Sequence, residues 1–114
     1  LCALAVATFL CTLGKQGIRQ IAEYNLKKSF YLRNLLDQFT VFSGPVFNEM
    51  VIHCERDPEQ INRELLESGI IGGLPLERYY PEHSKQMLIC VTEKNSIESI
   101  ERFAEILSNT KAKA

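Results

Sequence analysis

At 114 residues and a net charge of -1, the chain has the size of one domain. Its 46% hydrophobic and 24% charged content are those of an ordinary globular protein. With 13 basic residues spread among 14 acidic ones, it lacks the basic footprint that marks nucleic-acid binding, and no apolar run approaches the roughly 20 residues that cross a bilayer.

Leu1 to Leu13 reads as a helix apolar on every side, ended by Gly14. Neither a basic start nor a small-residue cleavage site marks it as a secretory signal. A helix of this kind is normally buried in a larger body, so the expectation is a fragment whose upstream partner is missing. A second, longer helix is expected from Gln16 to Gln38, with Ile18, Ile21, Ala22, Leu26, Leu32, Leu35 and Leu36 on its apolar side. Tyr24, Phe30 and Tyr31 widen that side, and Lys15, Lys27, Lys28 and Arg33 form its solvated face.

Gly44-Pro45 breaks the chain before an expected strand from Phe47 to Cys54. Alternation puts Phe47, Glu49, Val51 and His53 on one side and Asn48, Met50, Ile52 and Cys54 on the other. Asp57-Pro58-Glu59-Gln60 carries a cap, a first-turn proline and a residue able to reach back to the cap. These signals start a helix from Pro58 to Ser68, stopped by Gly69. Ile70-Ile71 reads as a very short strand before the Gly72-Gly73 flex, and Glu77 to Gln86 as a loop. Met87 to Val91 is apolar throughout, as expected of a central strand covered on both faces. Polar Thr92-Glu93-Lys94 closes it. Asn95 with Glu98 forms a capping box for a last helix, whose buried face is Ile97, Ile100, Phe103, Ala104 and Leu107.

The expected fold is therefore α+β, a sheet of about three strands with helices packed on one face. The second face of so small a sheet has little to bury it. The expected divisions are residues 1–14 as a helix that would pack on the missing body, 15–110 as the small α+β domain, and 111–114 as a fraying tail.

Chemistry-bearing residues are sparse. Cys2, Cys11, Cys54 and Cys90 form no CxxC pair, and no histidine stands at metal-finger spacing, so no metal is expected. Each lies in an apolar run, as a reduced cysteine behaving as a small hydrophobe would; a Cys54–Cys90 bridge is the alternative. His53 reads as structural and His83 as solvent-facing. In His83-Ser84-Lys85 the lysine sits among charged residues, whereas a catalytic lysine needs a dry pocket. Glu93 and Lys94 stand at the carboxyl end of the buried strand, where sheets present functional groups, or simply lead into the Asn95 cap. Gly72-Gly73 lacks the spacing of a phosphate loop; it marks a backbone passing close to a neighbour or a plain turn. Asn48 and Glu49 stand at a cleft edge or at a solvated strand end. If residues here line a cleft, they are Gly72, Gly73, Thr92 and Glu93, and no catalytic set is complete.

Taken together, Gly44-Pro-Val-Phe-Asn48-Glu49, Gly69-Ile-Ile-Gly-Gly-Leu-Pro-Leu76, Tyr80-Pro81 and Cys90-Val-Thr-Glu-Lys94 resemble the C-terminal part of the glycine cleavage system P-protein family. The likeness is to subunit 1 of its split bacterial form, covers nearly the whole chain, and includes Leu13-Gly14-Lys15-Gln-Gly17. It implies the small C-terminal domain of a fold-type-I enzyme that uses pyridoxal 5'-phosphate and works in the bacterial cytoplasm. The family decarboxylates glycine and passes the aminomethyl group to the lipoyl arm of H-protein. The resemblance implies that the cofactor lysine lies in glycine dehydrogenase subunit 2, within a His-Lys motif absent here, so that this chain alone is inactive and holds no cofactor. Implied partners are the large domain of the same subunit, subunit 2 and lipoylated H-protein. With those neighbours away, the apolar first helix should make the chain self-associate. Two other readings stay open: the small domain of an aminotransferase or cysteine desulfurase, with Arg78 or Arg102 as carboxylate ligand, and a free-standing α+β module that binds a ligand or protein.

Overall fold

The computed structural model describes residues 1–109; the tail expected at 111–114 lies outside the described residues. Helix α1, Cys2–Leu35, is broken at Gly14 (φ 62°, ψ -178°), a conformation open essentially to glycine alone. Residues 1–12 are exposed throughout, with Leu4 67% and Phe9 56% accessible. Thr8 and Thr12 turn their hydroxyls back onto the carbonyls of Leu4 and Thr8, which lets a polar side chain sit on an otherwise apolar helix.

After Gly14 the helix packs on the core through a stripe of Asn25, Ser29 and Leu32, continued by Leu36. This is a rotation from the expected face: Ile18, Leu26 and Leu35 are exposed. The helix can turn Asn25 inward because that side chain has a partner across the interface, the Glu93 carboxylate.

Three strands form an antiparallel sheet in the order β1-β3-β2, with β1 at Glu49–His53, β2 at Leu74–Pro75 and β3 at Gln86–Cys90. Met50 pairs with Ile89 and Ile52 with Met87, so these four side chains share the covered face. On it lie Ile61 and Leu65 of α2 (Pro58–Glu67) and Ile100, Phe103 and Leu107 of α3 (Ile97–Asn109), completing one core with Leu32 and Leu36. Helices on one face of a three-stranded sheet are the architecture expected from the sequence.

The start of α2 follows the expected signals: Asp57 Oδ1 accepts the Glu59 N–H at 3.0 Å, and Pro58 opens the helix. Its end explains why Ile70-Ile71 is not a strand. Gly69 adopts φ 76°, and the amides of Gly69 and Ile70 bond back to the carbonyls of Leu66 and Leu65. This paired closure caps the helix and removes the Ile70 amide from any ladder, so pairing with β3 begins later, at Leu74. The expected α3 cap also shifts. Asn95 turns its Oδ1 toward the Thr92 amide (2.8 Å), and Ser96 Oγ accepts the Ser99 N–H instead.

β3 is central, but among the described residues only one of its faces is covered. Met87 and Ile89 are buried, whereas Leu88 is half-buried and Cys90 exposed. Leu88 stands between Val51 and Leu74 in register on the open face. The uniform apolar run therefore serves two unlike environments. Of the cysteines, Cys54 alone is buried; Cys2, Cys11 and Cys90 are exposed, and all are free. No Cys54–Cys90 bridge forms, because Cys54 belongs to the core side and Cys90 to the open side of the sheet.

Candidate functional site

Of the four residues expected at a cleft, Gly72 and Gly73 lie against α2 and β3, Thr92 and Glu93 lie in the loop that leaves β3, and both pairs are engaged with the protein's own chain. Gly73 runs so close to β3 that a Cβ placed on it would stand 2.5 Å from the Leu88 carbonyl oxygen and 2.5 Å from Met87 Cγ. At Gly72 a Cβ would meet Asn62 Oδ1 at 2.0 Å and Leu65 at 2.9 Å. Asn62, on α2, grips the glycine segment from the side: its Nδ2 donates to the Gly73 carbonyl (2.8 Å) and its Oδ1 accepts the Gly73 N–H (3.2 Å). The bare backbone at Gly72-Gly73 is thus accounted for by close approach to α2 and β3.

Thr92 and Glu93 lie in the loop that leaves β3, and that loop is held from two directions. Internally, Asn95 Oδ1 accepts the Thr92 amide and Thr92 Oγ1 accepts the Lys94 amide (3.2 Å). From α1, Asn25 Nδ2 donates to Glu93 Oε2 at 2.9 Å, and Lys28 Nζ donates to the Glu93 carbonyl at 2.6 Å and to the Asn95 carbonyl. Asn25 is only 5% exposed. A buried amide is costly without partners, and here it has Glu93 as well as the Ile21 carbonyl (2.8 Å). Sequence reasoning missed Asn25 and Asn62 and placed Lys28 on the solvated face. The available signal was an asparagine in the middle of a helix, where the residue is intrinsically unfavourable and needs a compensating bond.

Beside this loop opens a small cleft of about 60 Å³, walled by Leu32, Ile70, Ile71, Gly72, Ile89 and Phe103, with Asn95 and Ser99 as polar members. Gly72 is the expected site residue that lines it; Cys90 lies at its edge, its thiol pushed up by partial burial and then by the Glu49 carboxylate across the sheet. The cleft can shelter an apolar group. It brings together no nucleophile with an activating base, the minimum for covalent chemistry.

The remaining candidates lie elsewhere. His53 is exposed on β1. His83 packs edge-on against Tyr80 (5.9 Å between ring centres) with Glu82 at 3.9 Å. Lys85 reaches the Glu55 carbonyl at 3.4 Å, so His83-Ser84-Lys85 is a surface turn. Asn48 uses its carbonyl to accept the Val91 amide, and Glu49 is exposed. Arg78 and Arg102 are exposed on separate parts of the chain. Lys15, Lys27, Lys85 and Lys94 are exposed and Lys28 is spent on carbonyls, so none of the described lysines stands in the dry pocket that a cofactor-holding lysine requires. Among the described residues no cluster suits a metal ion, and no helix is long and apolar enough to cross a membrane.

Known proteins place this arrangement in a lineage. The chain is 46% identical over 108 residues to the "Probable glycine dehydrogenase (decarboxylating) subunit 1" of Desulforamulus reducens, covering 91% of this chain and 24% of that protein. To the protein of the same name from Thermomicrobium roseum it is 43% identical over 116 residues, 98% of this chain and 26% of the other. The chain thus spans about a quarter of the length of the curated relatives it matches. Its fold overlays the crystal structure of a glycine decarboxylase (P-protein) of the glycine cleavage system in inhibitor-bound form, with a TM-score of 0.74 and 28% identity over 90% of this chain and 24% of that one. Residues 1–107 match the family described as "Glycine cleavage system P-protein", and the chain belongs to that family.

Proposed function

We propose that this chain is the C-terminal small domain of a glycine dehydrogenase (decarboxylating) subunit 1, acting in the bacterial cytoplasm as a supporting part of the glycine cleavage system. The observation that carries the reading is the joint match in sequence and fold over at least nine-tenths of the chain. In this reading residues 1–14 pack on the large domain of the same subunit and residues 15–110 form the small domain. Exposed Leu4, Val6, Phe9 and Leu10 supply the apolar surface for that contact.

Pyridoxal 5'-phosphate, when bound in the complete enzyme, supplies the electron sink for decarboxylation. None of the described lysines fits its anchorage, and the anchoring lysine is proposed to lie in subunit 2. What remains for this domain is enclosure. The rigid loop at Thr92–Asn95 and the apolar cleft beside it give a wall that packs against the reacting centre and keeps water from it. Gly72, Gly73, Thr92 and Glu93 are the proposed edge of that wall, and lipoylated H-protein is the proposed acceptor of the aminomethyl group.

The test is reconstitution. Full-length subunit 1 mixed with subunit 2, H-protein and pyridoxal phosphate should release carbon dioxide from glycine, and neither subunit should do so alone. A full-length subunit that stays inactive with every such partner refutes the reading.

A further inference from the structure

The contact between α1 and the loop after β3 is built more elaborately than packing alone needs. Asn25 and Lys28, one helical turn apart, reach a loop lying more than sixty residues further along the chain. The Lys28 ammonium is directed at the main-chain carbonyls of Glu93 and Asn95, and the Glu93 carboxylate is left to the neutral Asn25 amide. Cation and carboxylate thus do not neutralise each other directly. Each instead ties the loop to the helix at a different point.

Inside the loop, the Thr92 and Lys94 amides are also taken up, by Asn95 Oδ1 and Thr92 Oγ1. A segment without helix or strand therefore has its Thr92 and Lys94 amides and its Glu93 and Asn95 carbonyls all bonded in one conformation, and the outer bonds come from a single element. Lys94 and the half-buried Thr92 are presented from this fixed frame at the carboxyl end of β3.

We propose that Asn25 and Lys28 are positioning residues that set the conformation of the Thr92–Asn95 loop from α1, with Glu93 serving as the strut between them rather than as an acid or base. The site edge and the helix after Gly14 then move as one body, while the exposed first part of α1, before Gly14, is free to take a different direction. Any tilt of α1 on docking a neighbour is passed to the loop. The link to turnover rests on the proposed function above; the mechanical coupling does not.

The test uses full-length subunit 1 carrying Asn25→Ala, Lys28→Met or Lys28→Arg. Amide hydrogen exchange over residues 92–95 should rise about tenfold in the Ala and Met variants, the worth of a lost hydrogen bond to a charged group, while exchange in α2 stays as in the parent. Lys28→Arg, which keeps a cationic donor, should restore protection. Unchanged exchange at 92–95, or equal acceleration in α2, overturns the coupling. In the reconstituted enzyme the Ala and Met variants should lower kcat/KM for glycine by about fivefold or more with subunit association intact; parental turnover in them overturns the positioning role. If the parent itself is inactive with all partners, it is the proposed function that fails, and exchange alone decides the coupling.

Discussion

Gly73 shows how a single missing side chain can decide a local fold. Its neighbours at the Cβ position include the Leu88 carbonyl, which is backbone and cannot rotate away. Gly73→Ala should therefore destabilise the protein by about 2–3 kcal/mol, in the range of overpacked sites, and lower its denaturant midpoint. Gly44→Ala, with nothing within 4 Å, should shift stability by no more than about 0.5 kcal/mol. Equal midpoints for the two variants would mean that the glycine segment is not pressed against β3. Cys54 offers a pH signature at the same scale. Burial pushes its thiol from 9.0 up to about 11, so the folded state holds the proton after the unfolded chain has begun to release it. Stability from this group is complete below pH 9 and is lost as pH rises through 11, amounting to about 2–3 kcal/mol. Denaturation between pH 8.5 and 11 should show this loss in the parent and not in Cys54→Val; parallel curves would refute it. Up to pH 8.5, alkylating reagents should label Cys2, Cys11 and Cys90 well before Cys54, since the thiolate is the nucleophile.

Among the elements, α1 carries the clearest division of labour. Before Gly14 it is an apolar rod exposed on all sides; beyond it, the helix is a strut with a polar inner stripe. The rod should make the isolated chain self-associate, because contiguous apolar surface of this kind normally has a partner. Replacing Leu4 and Phe9 together by glutamine should shift sedimentation toward the monomer with little change in the unfolding of the core. Persistence of the same oligomer would move attention to the open sheet face around Val51, Leu74 and Leu88. β3 carries a second division: its apolar residues split between a packed core and a face with no cover among the described residues. A five-residue strand can read as uniformly apolar for either reason, since periodicity registers hydrophobicity and not what supplies the burial.

At the scale of the whole molecule, a well-formed core coexists with surfaces that the described residues do not cover. The core residues come from α1, the sheet, α2 and α3 and form one continuous cluster, whereas the rod and the open sheet face lie outside it. That combination suits a domain which folds around its own center and completes its exterior against neighbours. The chemistry follows the same line. With no described lysine in a dry pocket, the purified chain mixed with pyridoxal phosphate should show no protein-bound cofactor absorbance after gel filtration and release no carbon dioxide from glycine. A stoichiometric yellow complex that turns over would contradict the proposed division of roles.

The sequence by itself determined the helix boundaries marked by special backbone chemistry: the break at Gly14, the Asp57-Pro58 start and the Gly69 stop. Each depends on a residue whose own conformational limits act locally, so no distant contact is needed to read it. The α+β class and the family likeness were legible for a related reason, since periodic apolar patterns and contiguous motifs are properties of short segments. Tertiary structure alone decided which face of α1 turns inward, that Asn95 serves Thr92 and leaves the α3 cap to Ser96, and that β2 begins at Leu74. It also decided that Lys28 leaves the expected solvated face and, with Asn25 and Glu93, joins a helix to a loop. All of these depend on partners far away in the chain, and the free energy of satisfying a buried amide or carbonyl is set by whichever group arrives beside it in space.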